Sequence, residues 1–417
     1  MAKQGRIFRA KRPVSAAGVG DLLRPHFRVQ VEAARKQDLT YFDTFDARLH
    51  AYGMTLAHGG GELRLESLDG IALHTLRAKS APPFAGSLGD GALRDALAPA
   101  ASIRRLLPLV TVSREIHPLR VLDSDDKTVV RLQLEQVRAR PPRAAREQGA
   151  SLPAVVRVLP VRGYERELTN VIEALQQAPE FACERIDQVV AAVAASGGRL
   201  VENPCKLEPE VDPTVPAADA MRRIHRRLFE IMRLNEDGVR AATDSEFLHD
   251  YRVTVRRIRS ALNQVKGVFA ADDVARFATE FKRLAAATGP ARDADVFLLK
   301  LPDYRATLPE KTRRDLDPLE VFLTKRQRSA YRTLGKVLAS ERYARLLADW
   351  DAFLSQPSES PETAPNASRP LGAVASERIA RIARRVLKRG SAIHDDTPAE
   401  ALHALRLQCK KLRYLLD

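Results

Sequence analysis

A pattern of one histidine and four cations, eleven residues long, occurs twice in the second half of the chain. In both copies the cations follow the histidine by three, seven, eight and ten residues. The first copy is His249, Arg252, Arg256, Arg257 and Arg259, and the second is His403, Arg406, Lys410, Lys411 and Arg413. At about 100° per residue, offsets zero, three, seven and ten fall within roughly 80° of each other on a helix. The pattern therefore predicts two similar helical halves, each with a line of positive charge on one narrow face.

The positive charge is concentrated in the same half of the chain. Residues 221–417 hold 38 Lys and Arg against 26 Asp and Glu, whereas the remaining 220 residues hold 30 against 27. Like charges on one helix face repel one another, and an anion lying alongside would relieve that repulsion. The C-terminal half is therefore predicted to bind a polyanion such as nucleic acid, polyphosphate or an acidic membrane face.

Length, cysteine content and hydropathy together indicate a multidomain protein of a reducing compartment. The 417 residues predict two or three domains. Cys183, Cys205 and Cys409 form no CxxC pair, so the sequence indicates neither a zinc knuckle nor a disulfide framework, which suits a reducing cytoplasm. The N-terminus lacks the apolar stretch of a secretory signal, and no run of 18 apolar residues occurs. We therefore predict a cytoplasmic protein without a membrane span.

The organisation along the chain predicts an α+β multidomain protein. Residues 5–165 read as mostly antiparallel β structure, because short runs alternate apolar and polar side chains between Gly, Pro and Asp. The predicted strands are Phe27–Val31, Gly61–Leu68, Ile71–Ala78, Leu109–Ile116, Val129–Val137 and Ala154–Pro160. A loop is predicted over Arg138–Pro153, and two helices near 163–178 and 183–196. This N-terminal domain is assigned to residues 1–200.

A proline-rich linker over 201–216 separates that domain from a helical bundle over 217–417. Amphipathic periodicity predicts eight helices in the bundle, near 217–240, 245–269, 272–287, 291–300, 311–338, 341–354, 371–389 and 398–417. Residues 355–370 are predicted to be a disordered loop by composition. The two histidine patterns lie 154 residues apart, and the second half stops soon after its copy. That arrangement predicts a truncated second half. If the native chain ends at this point, an apolar face is instead expected to be open to a partner.

Three segments resemble the CHAD family, the conserved histidine α-helical domain. They are LHDYRVTVRRIRSAL (248–262), GPARDADVFLLKL (289–301) and LHALRLQCKKLRYLL (402–416). The first and third match the histidine motifs of the family, and the second matches its RD-x-D turn. The resemblance implies an antiparallel helical bundle with internal pseudo-two-fold symmetry around a basic channel that binds inorganic polyphosphate.

The same resemblance implies which residues line that channel. By motif match they are both copies of the histidine pattern, with Arg283 and Arg292 as additional candidates near the RD-x-D turn. The two aspartates of that turn, Asp293 and Asp295, are predicted to stabilise a helix N-terminus. Arg292 is then left to face the channel.

The N-terminal region resembles the CYTH family, whose fold is a β tunnel that binds triphosphate. The segments are YFDTFDARLHAYGMTLAHGGGELRLES (41–67) and LRAKS (76–80). The resemblance implies a tunnel and a triphosphatase that depends on a divalent metal. The first strand of that family carries E-x-E-x-K, whereas this chain reads RIFRAKR over residues 6–12. The remaining carboxylates, Glu62, Glu66, Asp123, Asp125, Asp126 and Glu135, form no obvious metal set, so no metal, cofactor or catalytic residue is predicted.

Several side chains have more than one interpretation. Each histidine could form a structural hydrogen bond, contact phosphate, act as a base or bind a metal, and its recurrence in one register favours phosphate contact. The cation rows could be solvated helix faces, but apart from Asp417, four residues after Arg413, they lack acidic partners at i+4. The strand cations Arg6, Arg9, Lys11, Arg64, Arg77, Lys79, Arg114 and Arg131 could point into a tunnel or toward solvent.

The favoured function is non-catalytic binding of inorganic polyphosphate, with recruitment to polyphosphate granules as its expected role. The first alternative is a metal-dependent triphosphatase or polyphosphatase in the N-terminal domain. The second is nucleic-acid binding, which the scarcity of aromatic residues within the cation rows disfavours. Homo-oligomerisation is left open.

Overall fold

The computed structural model describes residues 6–68, 70–145, 148–183, 187–202, 204–205, 211–356 and 362–416. The chain divides into two compact units, Met1–Pro204 and Cys205–Asp417. This division falls within the range predicted for the linker. The first unit contains a large antiparallel sheet and the second is helical, which confirms the α+β class.

The N-terminal unit is built on an eleven-stranded sheet in which every pairing is antiparallel. Its strands are β1 (Ile7–Ala10), β2 (Arg28–Val31), β3 (Arg35–Asp43), β4 (Met54–Gly59), β5 (Glu62–Ser67), β6 (Ala72–Arg77), β7 (Leu107–Leu122), β8 (Thr128–Arg140), β9 (Ala150–Ser151), β10 (Val155–Pro160) and β11 (Phe181–Ala182). The strand order is β11-β1-β10-β8-β7-β3-β4-β5-β6, with β2 paired to β7 and β9 to β8. The long strands β7 and β8 therefore form its centre.

Five helices accompany this sheet. They are α1 (Ala16–Leu23), α2 (Arg48–Ala51), α3 (Ala92–Ala101), α4 (Glu165–Gln177) and α5 (Gln188–Ala195). Val19 of α1 and Leu168 of α4 pack into one hydrophobic core with strand residues such as Leu132 and Val156. Leu97 of α3 packs into a second core with Leu56 and its neighbours. Burial of these apolar faces is the main driving force that holds the helices on the sheet.

The structure of this unit differs from the prediction in several elements. The sequence pattern does not predict β3, β4, α1 or α3, and it predicts a loop where β8 continues to Arg140 and β9 pairs with it. β3 begins RKQD and β4 reads MTLAHG, so neither is rich in β-branched residues. β3 pairs with β4 and with the distant β7, and β4 pairs with β3 and β5. Hydrogen bonds between these strands stabilise a conformation that the local sequence favours only weakly. The tunnel of the CYTH family stays a prediction.

The C-terminal unit contains eight α-helices among its described residues. They are α6 (Ala217–Arg240), α7 (Ser245–Gln264), α8 (Ala271–Ala287), α9 (Gly289–Thr307), α10 (Asp317–Leu338), α11 (Glu341–Ser355), α12 (Leu371–Gly390) and α13 (Ala399–Leu416). Most bounds agree closely with the predicted helices. The predicted helix over 311–338 is instead a 3-10 helix, Glu310–Leu316, followed by α10, whose first turn contains Pro318. None of the described helices is long and apolar enough to cross a membrane.

A pseudo-two-fold relation joins the starts of α6 and α12. The amide of Ala217 donates to the carbonyl of Arg369 at 2.8 Å, and the amide of Leu371 donates to the carbonyl of Val215 at 2.9 Å. Leu371 lies 154 residues after Ala217, and Val215 lies 154 residues before Arg369, which is the distance between the two histidine patterns. The second bond is therefore the equivalent of the first with the two halves exchanged. Helix α6 also packs on α7 and α12, and α13 packs on α12 and α7. The two halves therefore meet as a symmetric four-helix group.

A second reciprocal pair of hydrogen bonds follows the same relation. The amide of Ala218 donates to Ala367 at 3.0 Å, and the amide of Gly372 donates to Pro213 at 2.9 Å. Within the segment predicted to be disordered, residues 362–370 thus form hydrogen-bonded turns, and Ala367 is buried. That prediction is wrong for these residues, because composition does not reveal long-range backbone bonds. Residues 357–361 lie outside the described part of the chain.

The two halves differ in burial. Leu248 of α7 is fully buried, whereas Leu402, which occupies the same position in the repeat, is 46% exposed. Helices α8 and α9 both pack on α7, and none of the described residues of α13 is buried. The same sequence pattern therefore occupies two different environments.

A candidate anion-binding site

Helix α7 carries its cations on a face separate from its buried apolar face. The helix starts at Asp244, whose carboxylate accepts the amides of Glu246 and Phe247 at 2.9 and 3.2 Å. Its apolar residues, which include Leu248 and Val255, are buried against neighbouring helices. Because side chains at positions i, i+3 and i+7 share one face, the histidine row lies beside this buried face, where Arg256 is exposed and His249 and Arg252 are partly buried.

The cation rows of the two repeats meet at Tyr414. The guanidinium of Arg256, from the first copy, lies 5.4 Å from the centre of the Tyr414 ring, and that of Arg413, from the second, lies 5.5 Å from it. Cations at this distance are attracted to the face of an aromatic ring. Helices α7 and α13 pack against each other, so the structure brings parts of both rows to one place.

A second junction joins α7 to the start of α9. Arg252 donates to the carbonyl of Ala285 at 3.1 Å and to the hydroxyl of Thr288 at 2.5 Å. Arg292 donates to the carbonyl of Ser245 at 3.1 Å and lies 3.7 Å from the carboxylate of Glu246. These contacts fix the orientation of both guanidinium groups.

The charges at this junction act on one another. Burial lowers the pKa of His249, and the nearby Arg292 and Arg256 lower it further, so the imidazole is neutral at pH 7. Burial also lowers the pKa of Arg252; Asp293 opposes that effect, whereas Arg256 and Arg292 reinforce it. His249 and Arg252 thus both lie within the electrostatic influence of Arg256 and Arg292.

The remaining predicted site residues are more dispersed. Arg257 and Arg259 are half-buried on α7, and the Nε of Arg259 is buried with no hydrogen-bond partner among the described residues. The second-copy residues His403, Arg406, Lys410, Lys411 and Arg413 are all exposed on α13. Arg283 is exposed on α8, and its membership of the site stays a prediction.

The role predicted for the aspartates of the RD-x-D turn is wrong. Helix α9 begins at Gly289, so Asp293 and Asp295 lie beyond its first turn. Asp295 is buried and accepts hydrogen bonds from Gln327 at 2.7 Å and Tyr331 at 2.8 Å, both on α10. Burial raises the pKa of Asp295. This carboxylate joins two helices rather than capping one.

The sequence indicates a basic helix over Glu377–Arg389, but the predicted site residues include none of its cations, although this helix, α12, packs on α13. Arg378, Arg381 and Arg385 follow the spacing zero, three and seven. The Nε of Arg378 is buried without a hydrogen-bond partner among the described residues. Burial lowers the pKa of Arg378, and the charges of Arg381 and Arg385 add to this. The spacing matches the first three positions of the histidine pattern, which are the histidine and two cations, and could have identified this row.

The N-terminal unit contains a basic cavity of its own, with a volume of about 970 Å³. The cations that line it are Arg9, Lys11, Arg12, Lys36, Arg114, Arg138 and Arg140, and the carboxylates are Asp38 and Glu115. Of the strand cations singled out from the sequence, Arg9, Lys11 and Arg114 thus face this cavity. Arg77, Lys79 and Arg131 are exposed, and Arg64 pairs with Glu62 at 2.8 Å.

A buried carboxylate lies beside this cavity. Glu135 accepts from Arg114 at 2.9 Å and from Arg157 at 3.2 Å. Burial acts to raise the pKa of Glu135, but the two guanidinium groups outweigh it, so the carboxylate stays ionised. Among the residues that the structure describes, no group of three or more His, Cys, Asp or Glu side chains is arranged to hold a metal ion.

The helical unit has a recognisable family. Residues 223–417 match the sequence profile of the CHAD domain. The C-terminal unit is a CHAD domain. The family resemblance carried by the histidine motifs is thereby confirmed, whereas the resemblance of the N-terminal unit to the CYTH family stays a prediction.

The relatives of this chain include two uncharacterized proteins of Mycobacterium tuberculosis, from strains CDC 1551 and H37Rv. Each is 33% identical over 230 residues, which cover 54% of this chain and 44% of the relative. The chain therefore matches less than half the length of these curated proteins.

Two solved structures are also similar to the chain. The CHAD domain from the plant Ricinus communis shares 28% identity and a TM-score of 0.40, covering 49% of this chain and 66% of the plant domain. PptA from Streptomyces chartreusis shares 16% identity and a TM-score of 0.38, covering 48% of this chain and 74% of PptA.

Proposed function

We propose that the CHAD domain binds inorganic polyphosphate along the cation faces of α7 and α13. The observation that carries the proposal is the meeting of Arg256 and Arg413 at Tyr414, because it joins the two rows into one basic surface. A guanidinium presents a planar fork of donors to two phosphate oxygens, and a lysine acts as a point charge. A helix face with a cation about every 5.4 Å therefore suits a linear polyanion.

Four cations of this surface have no acidic partner among the residues that the structure describes. Arg256, Arg257, Lys410 and Lys411 have no carboxylate oxygen within 4.0 Å among the described residues. A bound polyanion would remove their mutual repulsion. It would also raise the pKa of His249, which would then become a better hydrogen-bond donor. The association of CHAD domains with polyphosphate binding supports the same conclusion.

The test is a binding titration with labelled polyphosphate at several salt concentrations. For polyanions the logarithm of affinity falls linearly with the logarithm of salt, with a slope of about 0.7 to 0.9 per neutralised charge. We expect R256A/K410A to bind more weakly and to lower the slope by roughly 1.4 to 1.8. The matched control is Arg345→Ala on α11, an exposed cation outside the rows. Equal affinity and slope for all three proteins would refute the proposal.

Two further assays separate the alternatives. Turnover of tripolyphosphate with magnesium or manganese, at a rate well above background, would favour the triphosphatase and would contradict a purely binding function. Displacement of labelled polyphosphate by duplex DNA or RNA at equal phosphate concentration would favour nucleic-acid binding. With neither outcome, recruitment of the whole protein to polyphosphate granules is the expected cellular role.

A further inference from the structure

A groove outside the histidine rows runs along α10 and the end of α6. Its volume is about 1060 Å³. Its charged and polar wall is formed by Lys325, Arg328, Tyr331 and Arg332. Helix α10 packs on α6 and α9, whereas α13 packs on α7 and α12. The groove is thus formed by a different set of helices from the junction at Tyr414.

Three cations in the groove repeat the spacing of the histidine pattern. Lys325, Arg328 and Arg332 stand at offsets zero, three and seven, so they share one face of α10 over about 10 Å. All three are exposed, and none has a carboxylate oxygen within 4.0 Å among the described residues. A polyanion lying along α10 would contact each of them.

The other charges of the groove are already paired. Asp317 and Glu320 both accept from Arg305, at 2.9 and 2.8 Å. Arg240 is bound to Glu236, at 2.8 Å from its Nε. The lining cations, which are Arg240, Lys325, Arg328 and Arg332, therefore outnumber the lining carboxylates Asp317 and Glu320, and the groove is net positive.

The floor of the groove leaves room for a ligand. A Cβ atom added at Gly335 would meet no other heavy atom within 4 Å. The hydroxyl of Tyr331 is held by Asp295, which fixes the side chain at the base of the cations. Open space beside a row of exposed cations suits a slender chain of phosphate groups.

We propose that this α10 groove is a second contact for condensed phosphate, so that a long polyphosphate binds at both surfaces and a short one at the histidine rows alone. The inference rests on the proposed function. Two linked contacts raise affinity by an effective-concentration effect, which commonly exceeds either contact alone by about 100-fold or more. Affinity should then continue to increase with polyphosphate chain length after all the cations of one site are occupied.

The test compares long polyphosphate with tripolyphosphate in the full chain. We expect K325A/R328A/R332A to bind long polyphosphate on the order of 100-fold more weakly, at the lower end of linked-site effects, and to bind tripolyphosphate unchanged. The matched control removes three exposed cations elsewhere, in K300A/R314A/R345A. If the α10 variant and this control bind long polyphosphate equally, the second contact does not exist.

Occupancy of the groove can be measured directly. Acetylation of Lys325, read by mass spectrometry, is expected to slow at least threefold when long polyphosphate is added, whereas acetylation of Lys300 stays unchanged. The R256A/K410A variant separates the two proposals, because it should lose tripolyphosphate binding while Lys325 remains protected by long chains. Protection of Lys325 by polyglutamate and not by polyphosphate would make the groove an acidic-peptide site and overturn the inference.

Discussion

At the residue scale, His225 on α6 illustrates how burial overrides the chemistry of a side chain. It is fully buried, with its ring 5.2 Å from Trp350 and 6.2 Å from Phe269, measured between ring centroids. Neither ring nitrogen has a hydrogen-bond partner among the described residues. Burial lowers the pKa of His225 to about 3. The imidazole is thus neutral and packs as part of an aromatic core, although its two ring nitrogens are buried without hydrogen bonds to the described residues.

We expect His225→Phe to raise the free energy of unfolding at pH 7 by about 1 kcal/mol, because buried unpaired polar groups cost about 1–3 kcal/mol. Histidine in the unfolded chain has a pKa near 6.5, so above that pH the buried neutral His225 costs the folded state no proton. As the pH falls from 6.5 toward 3, the unfolded chain binds a proton that the folded protein does not, and the free energy of unfolding decreases. The variant should therefore lose less stability between pH 7 and pH 5. Urea unfolding at both pH values measures this, with the exposed His26→Phe as control. A variant as acid-sensitive as the native protein would contradict the assignment.

His50 in the N-terminal unit shows the opposite behaviour. Its Nε2 lies 2.6 Å from Asp187 and its Nδ1 lies 2.7 Å from Glu202. Burial acts to lower the pKa of His50, but the two carboxylates outweigh it and raise the pKa above 6.5. The charged imidazole joins α2 to the start of α5 and to the segment that follows α5.

The stability that His50 provides should therefore be complete below pH 6.5 and lost as the pH rises through its raised pKa. We expect the melting temperature of the native protein to fall between pH 6 and pH 8 by more than that of His50→Gln. An NMR titration of the His50 ring gives its pKa independently. A value at or below 6.5 would exclude a charged His50 held by Asp187 and Glu202. Glu202→Gln serves as the intermediate case, since it removes one of the two carboxylates.

At the element scale, α7 and α13 show that one sequence pattern does not fix one environment. Leu248 and Leu402 occupy equivalent positions, yet only Leu248 is fully buried. We expect Leu248→Ala to lower the free energy of unfolding by about 2–5 kcal/mol. Leu402→Ala should cost less than about 1 kcal/mol. Denaturant unfolding of the pair measures the difference, and equal losses would show that α13 is covered as fully as α7.

Periodicity predicted the helices well because each amphipathic helix carries its own repeat of apolar residues over several turns. It failed for α1, α3, β3 and β4, which are short or depend on partners that local sequence does not reveal. The same limit applies to Asp295, because no spacing rule places Gln327 and Tyr331 beside it. The cation rows themselves were predictable, since helical register alone determines which side chains share a face. Whether these rows bind polyphosphate stays a prediction.

At the scale of the whole helical unit, the reciprocal hydrogen bonds between the repeats hold the two cation rows in place. A Cβ atom at Gly372 would lie 2.9 Å from the Cβ and 3.2 Å from the carbonyl oxygen of Pro213. We expect Gly372→Ala to lower the free energy of unfolding by about 1–3 kcal/mol, the usual cost of overpacking. It should also weaken polyphosphate binding, because α7 and α13 belong to different halves.

The control for this substitution is Gly390→Ala at the other end of the same helix. A Cβ atom there would meet no other heavy atom within 4 Å, so the change should be neutral or slightly stabilising. Unfolding and binding measured on both variants distinguish a local helix effect from a loss of contact between the halves. Full polyphosphate affinity in a destabilised Gly372→Ala protein would show that the two rows act independently.

The unequal fixation of the two rows has a kinetic consequence. Arg252 and Arg292 are held by backbone carbonyls of neighbouring segments, whereas Lys410 and Lys411 are exposed on α13. Exposed, rotationally free ammonium groups reach far into solvent and accelerate first encounter, while pre-oriented guanidinium groups lose little entropy when a ligand arrives. The α13 side should therefore govern how fast a polyanion is captured, and the α7 side how long it is retained.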